Sequence, residues 1–205
     1  SLLDIIKDQG YIKNIGLHIT TNCSVINPNF IKIVNDFDKV HFSLSIDGIQ
    51  SVAEYQRHGT VWKNVSENVL YYCNLSKNNK NISINSNSVI SAYTVLEIDK
   101  LTEYLIDLNK QYGISLTYNV VFGTLHPKVL IGELRHRALL SIRRALLILQ
   151  DDEKQSHAKS QLLSLKKILE TSPENLQDYN TFIEFTKDLD KIRQENFEEI
   201  FMCKL

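Results

Sequence analysis

Val40-His41-Phe42-Ser43-Leu44-Ser45-Ile46-Asp47-Gly48 alternates strictly. Val40, Phe42, Leu44 and Ile46 fall on one side, and His41, Ser43, Ser45 and Asp47 on the other. A period of two is the mark of a β-strand, and Asp-Gly supplies the turn that ends it. Strands buried in a parallel sheet are usually apolar on both faces. This one has a hydrophilic face, which needs water or a polar partner beside it.

The pattern recurs three times. Ile15, Leu17 and Ile19 oppose Gly16, His18, Thr20 and Asn22. Ile82 and Ile84 oppose Ser83, Asn85 and Asn87. Ile114, Leu116, Tyr118 and Val120 oppose Ser115, Thr117 and Asn119. The segments between these strands are long and helical in periodicity. Antiparallel neighbours, the alternative reading of one wet face, need only short turns. The chain therefore predicts an α/β fold in which parallel strands carry crossover helices on their apolar face. The hydrophilic face becomes the inner surface of a partial, TIM-like barrel.

Punctuation along the chain fits this plan. Leu2, Leu3, Ile5 and Ile6 stripe a first helix that Gly10 can stop. Asn27-Pro28 reads as an N-cap with Pro at the first helical position. A polar loop follows Gly48 and holds Arg57, His58 and Gly59. Helices are expected at Val61–Lys77 and, behind a Thr94-Val95-Leu96-Glu97 capping box, up to Gly113. Beyond Pro127 the periodicity is helical only: a basic helix at Leu130–Gln150 with a solvated charged face, another at Ser160–Glu170, and a last one at Phe182–Arg193. Ser172-Pro173-Glu174 reads as an N-cap turn. The expected division is a partial barrel over 1–127 and a helical extension over 128–205 that packs on it.

A net charge of −1 gives no overall pull toward nucleic acid, and no apolar run approaches the roughly 20 residues of a membrane span. Cys23, Cys73 and Cys203 match no zinc or iron–sulfur spacing. Scattered free thiols suit a reducing, cytoplasmic setting. Cys73 reads as a core residue, and Cys23 as an inert thiol.

Ile19-Thr20-Thr21-Asn22-Cys23 resembles the "TTNG" that ends the third barrel strand of radical S-adenosylmethionine enzymes. Ser45-Ile46-Asp47-Gly48, with Arg57 twelve residues beyond Ser45, resembles that family's "SxDG…R". Gly59-Thr60-Val61-Trp62-Lys63-Asn64-Val65 looks like the helix that follows. Leu189-Asp190-Lys191-Ile192-Arg193 ahead of Asn196-Phe197 resembles the ending of the "twitch" subgroup. The resemblance implies that Ser43, Ser45 and Asp47 face S-adenosylmethionine and that the Arg57 fork meets its methionyl carboxylate. It implies that Thr20, Thr21 and Asn22 line the floor, that Asn85 faces the cofactor, and that Asn87 and Asn119 face substrate.

The family's CxxxCxxC loop for a 4Fe-4S cluster is missing, as is its Gly-Gly-Glu, and Cys23 stands where the family has Gly. S-adenosylmethionine and the cluster are therefore expected in a full-length parent enzyme, one that modifies a peptide or protein. This chain, which begins at Ser1, is expected to be inactive alone and to bind neither group by itself. Two other readings stay open: a non-catalytic scaffold for a peptide or small polar ligand, and a metal hydrolase using His18 and His41. Open sheet edges predict self-association.

Overall fold

The computed structural model describes residues 2–150 and 152–201. Helix α1 (Leu2–Asp8) leads into strand β1 (Gly16–Thr21). Helix α2 (Pro28–Val34) crosses to β2 (Lys39–Ser45). Helices α3 (Gln50–Gln56) and α4 (Trp62–Asn78) cross to β3 (Ile82–Ile90), and α5 (Ile98–Tyr112) crosses to β4 (Ser115–Val120). All four strands are parallel and lie side by side in chain order. Each crossover steps one place along the sheet in the same direction, and crossovers that share one hand put their helices on one face. That face carries Val40, Phe42, Leu44, Ile82, Ile84, Leu116 and Tyr118. They form a buried cluster with Val69 and Cys73 of α4 and Leu101 and Leu105 of α5.

The local signals explain most element ends. Asn27 Oδ1 accepts the N–H groups of Asn29 and Phe30, and Pro28 opens α2. Gly10 and Gly113 take positive φ behind α1 and α5, a backbone shape that a Cβ would strain. The expected capping box is absent. Thr94–Glu97 is a 3₁₀ turn, and the Thr94 hydroxyl accepts the Ser91 N–H instead of capping α5. Ser91 Oγ takes the N–H groups of Tyr93 and Thr94.

The loop expected after Gly48 is helix α3, about two amphipathic turns and too short for its periodicity to stand out in sequence. Gly48 is needed for approach rather than for φ. A Cβ there would lie 2.9 Å from Val52 Cγ1 and 3.2 Å from the Ala53 nitrogen. It lets the first turn of α3 fold down on the strand end.

Helices α6 (Gly132–Ile148), α7 (Ser156–Thr171), α8 (Leu176–Arg193) and α9 (Phe197–Phe201) complete the described chain. Ser172 ends α7 rather than capping α8, whose N-cap is Asn175, with Oδ1 accepting from Gln177 and Asp178. The basic face of α6 is not simply solvated. Arg135 is buried and donates to the carbonyls of Leu130, Ser172 and Lys128. Arg137 reaches the Phe201 carbonyl and pairs with Glu97. These guanidiniums satisfy carbonyls that loops leave without partners.

Helix α7 and the turn before it seal the outer edge of β4. Gln155 Oε1 accepts the Leu116 N–H at 2.9 Å, and Gln161 Oε1 accepts the Tyr118 N–H at 2.8 Å. Two side-chain carbonyls thus stand in for a fifth strand, which removes the donors an edge would offer to another chain.

Gly48→Ala should destabilise the fold by about 1–3 kcal/mol, the usual cost of forcing a methyl into a packed contact. Urea unfolding measures it, and Val52→Ala in the same chain should recover part of the loss.

Candidate functional site

Among the described residues, no helix layer covers the opposite face of the sheet. Register sets its side chains in rows. His18, His41 and Ser83 form one, Thr20, Ser43, Asn85 and Ser115 the next, and Ser45, Asn87 and Thr117 a third. His18, Thr20, Ser83, Ser115 and Asn119 are exposed, and Ser45, Asn85, Asn87 and Thr117 are half-buried. The alternation read from sequence therefore becomes one continuous hydrophilic surface. Thr21 is the exception among the anticipated residues. Its register partner is Leu44, so it turns toward the helices, where its hydroxyl accepts the Cys23 N–H.

The surface is internally hydrogen-bonded. His41 lies 2.9 Å by Nδ1 from Ser83 Oγ and 2.8 Å by Nε2 from Asn85 Oδ1. Asn119 Nδ2 donates to Asn87 Oδ1 at 2.7 Å. His18 packs edge-on against His41 with ring centroids 4.8 Å apart. With both nitrogens of His41 engaged, the two imidazoles do not make a metal pair. No group of three or more metal-ligating side chains occurs among the described residues. His41 in this bridging role, and Ser115 and Thr117 as part of the face, extend the anticipated set. Their signal was the same alternation.

At the C-terminal ends of the strands, Asp47 and Arg57 find each other. Arg57 donates from Nε at 3.0 Å and from Nη2 at 2.6 Å to Asp47 Oδ2. Asp47 Oδ1 accepts the Val89 N–H at 2.8 Å. Asp47 is buried and Arg57 about one-third exposed. Among the described residues, Arg57 Nη1 has no hydrogen-bond partner. The hollow between Asn22, Ser45, Asp47, Arg57 and Trp62 measures only about 10 Å³, near the least that holds one water. The ion pair fills it, so any ligand rests on the outer hydrophilic rows and the free edge of the guanidinium.

Asn22 is exposed and closes a turn, accepting from Ser24 through Oδ1. Cys23 takes φ 59°, the left-handed shape that glycine adopts without strain. Its carbonyl is held by Asn68 Nδ2 at 2.8 Å. Cys23 and Cys73 are fully buried free thiols, and burial pushes both up to about 12. Iron binding needs thiolate, so these residues do not fit a 4Fe-4S cluster. Cys203 lies outside the described residues.

Neither a protein-family model nor a curated protein matches the sequence.

The two thiols make stability fall with rising pH. In the unfolded chain they ionise near 9.0, whereas folded they hold their protons to about 12. Their contribution is complete below pH 9 and is lost progressively above it. Urea midpoints from pH 8 to 10.5 should decline, and Cys73→Ala, compared at each pH with its own pH 8 value, should flatten the decline.

Proposed function

We propose that this chain supplies the later strands of a radical S-adenosylmethionine enzyme barrel, and with them part of the pocket for S-adenosylmethionine and a peptide or protein substrate. The observation that carries the proposal is the uncovered hydrophilic face of a parallel sheet wound in simple chain order. Barrels wind in that order. A parallel sheet otherwise hides both faces under helices. In this reading Ser45 and Asn85 hydrogen-bond the polar atoms of the cofactor. Arg57, held in place by Asp47, offers its remaining N–H edge to a carboxylate, for which a planar fork is suited. Thr20 and Asn22 extend the wet floor, Ser43 is buried beneath it, and Asn87 and Asn119 lie on the substrate side.

The cluster, which would reductively cleave S-adenosylmethionine, finds no donor set among the described residues. The chain on its own is therefore a binding part and not a radical source. Buried unpaired thiols in place of a disulfide agree with a reducing, cytoplasmic setting. No described helix is long and apolar enough to cross a membrane. Among the described residues, the outer edge of β1 has no side-chain cap like that on β4, which favours association through that edge, with a second copy as one partner.

A scaffold without catalysis is the second reading. The closed Asp47–Arg57 hollow favours it, because the pair is satisfied without any ligand.

Equilibrium dialysis with S-adenosylmethionine separates the two. Against the expectation that the chain alone binds neither group, the exposed hydrophilic rows and the free Arg57 edge lead the barrel reading to saturable binding of S-adenosylmethionine, which Ser45→Ala and Asn85→Ala each weaken by about 5–10-fold, the worth of a hydrogen bond. Binding that neither change affects, or no saturable binding, overturns it. Matched thermal melts keep a folding defect from being taken for lost affinity.

A further inference from the structure

Past β4 the chain runs through two 3₁₀ turns, Gly123–Leu125 and Pro127–Val129, and packs against α8. A cavity of about 340 Å³ lies between them, lined by Phe122, Thr124, His126, Lys128, Asp178 and Thr181 among others. Ligand pockets span about 300–1,000 Å³, so this one suits a single ring with its substituent. The site sits at the strand C-terminal ends, the working end of parallel α/β folds.

Its lining is unusual in three respects. Phe122 is 89% exposed, although the turn that carries it is anchored. Leu125 O accepts the Ala92 N–H at 2.7 Å, and Gly123 O accepts the His126 N–H at 3.0 Å. An aromatic ring held out on an ordered turn is a ready stacking platform. Next, His126 Nδ1 accepts the Lys128 N–H at 2.9 Å. The neutral ring then carries its proton on Nε2 as a remaining donor. Burial and the Lys128 charge both lower the pKa of His126, which keeps it neutral at pH 7. Finally, Asp178 gives its backbone N–H to Asn175, while its carboxylate has no partner among the described residues. Lys128 and Asp178 contribute one charge of each sign, so the lining selects for a neutral group.

A neutral group that meets both an N–H donor and a carboxylate must itself accept and donate. A hydroxyl on a planar ring does both. We propose that this cavity is a recognition subsite for a phenol, the tyrosyl side chain of a peptide. The ring lies on Phe122, and the hydroxyl accepts from His126 Nε2–H and donates to Asp178. The inference rests on the preceding reading in taking a peptide as substrate.

The test is an NMR titration of the chain with N-acetyl-L-tyrosinamide and N-acetyl-L-phenylalaninamide, with thermal melts matched across variants. The tyrosyl probe should bind saturably and about 10-fold more tightly than the phenylalanyl probe, because a missing hydroxyl leaves both polar groups unpaired. Phe122→Ala should weaken both probes by about 10-fold through loss of the stacking platform. Asp178→Ala should bring the two probes level. Equal affinities in the unaltered chain, no saturable binding, or indifference to Phe122→Ala overturns the subsite. If the phenol binds as described and S-adenosylmethionine does not, the subsite stands and the barrel reading falls. The reverse outcome removes the subsite alone.

Discussion

One carboxylate organises the working end of this molecule. Asp47 lies just past β2 and spends one oxygen on the Val89 N–H of β3 and the other on Arg57, the residue that closes α3. Buried charge is costly to isolate and tolerable when every lone pair meets a donor. Here that demand ties two strands and a helix end together at one point. Gly48, next in the chain, allows α3 to approach closely enough for the arrangement to close. The same three bonds that stabilise the junction also orient the guanidinium, so architecture and candidate chemistry share their atoms.

The C-terminal helices reinforce that junction from outside. Tyr55 on α3 donates to Asp190 on α8 at 2.8 Å, and Asp190 also accepts the Phe197 N–H that opens α9. Tyr55, Tyr93, Phe197 and Phe201 pack their rings together, with Tyr93 bonded to Thr186. Burial pushes the Tyr55 phenol up, so it remains a donor. His58 meets Glu195 at 2.7 Å, and Arg193 reaches the Tyr55 carbonyl. The helix bearing Arg57 is therefore clamped between the sheet and a distant stretch of chain. The region past Pro127 also seals the β4 edge, so it acts as structural support for the sheet at two separate places.

Much of this plan could be read in the residues. The four strands appear where period-two alternation placed them, although β3 runs on to Ile90 beyond the expected end at Asn87. Asn27-Pro28, Gly10 and Gly113 act as their types demand, because capping and positive φ are local properties. The readings that failed involved competition. Thr94 had a capping pattern, but a nearer donor on Ser91 captured its hydroxyl. Ser172-Pro173 offered a cap that Asn175 made. Arg135 and Arg137 of α6 seemed destined for water and instead reached backbone carbonyls as remote as Ser172 and Phe201, whereas Arg143 and Arg144 stay exposed.

By itself the sequence determined the strands, their two unlike faces and hence the side on which hydrophilic residues gather, because alternation is fixed residue by residue along an extended backbone. Resemblance to a family motif, rather than the alternation, suggested a shared site for Ser45, Asp47 and Arg57. Only the tertiary structure decided that Asp47 and Arg57 neutralise each other in a nearly filled hollow, that Thr21 turns away, and that Phe122, His126 and Asp178 meet. Those outcomes depend on distances between elements far apart in the chain, set by how helices of particular lengths pack on a twisted sheet. No local pattern encodes them.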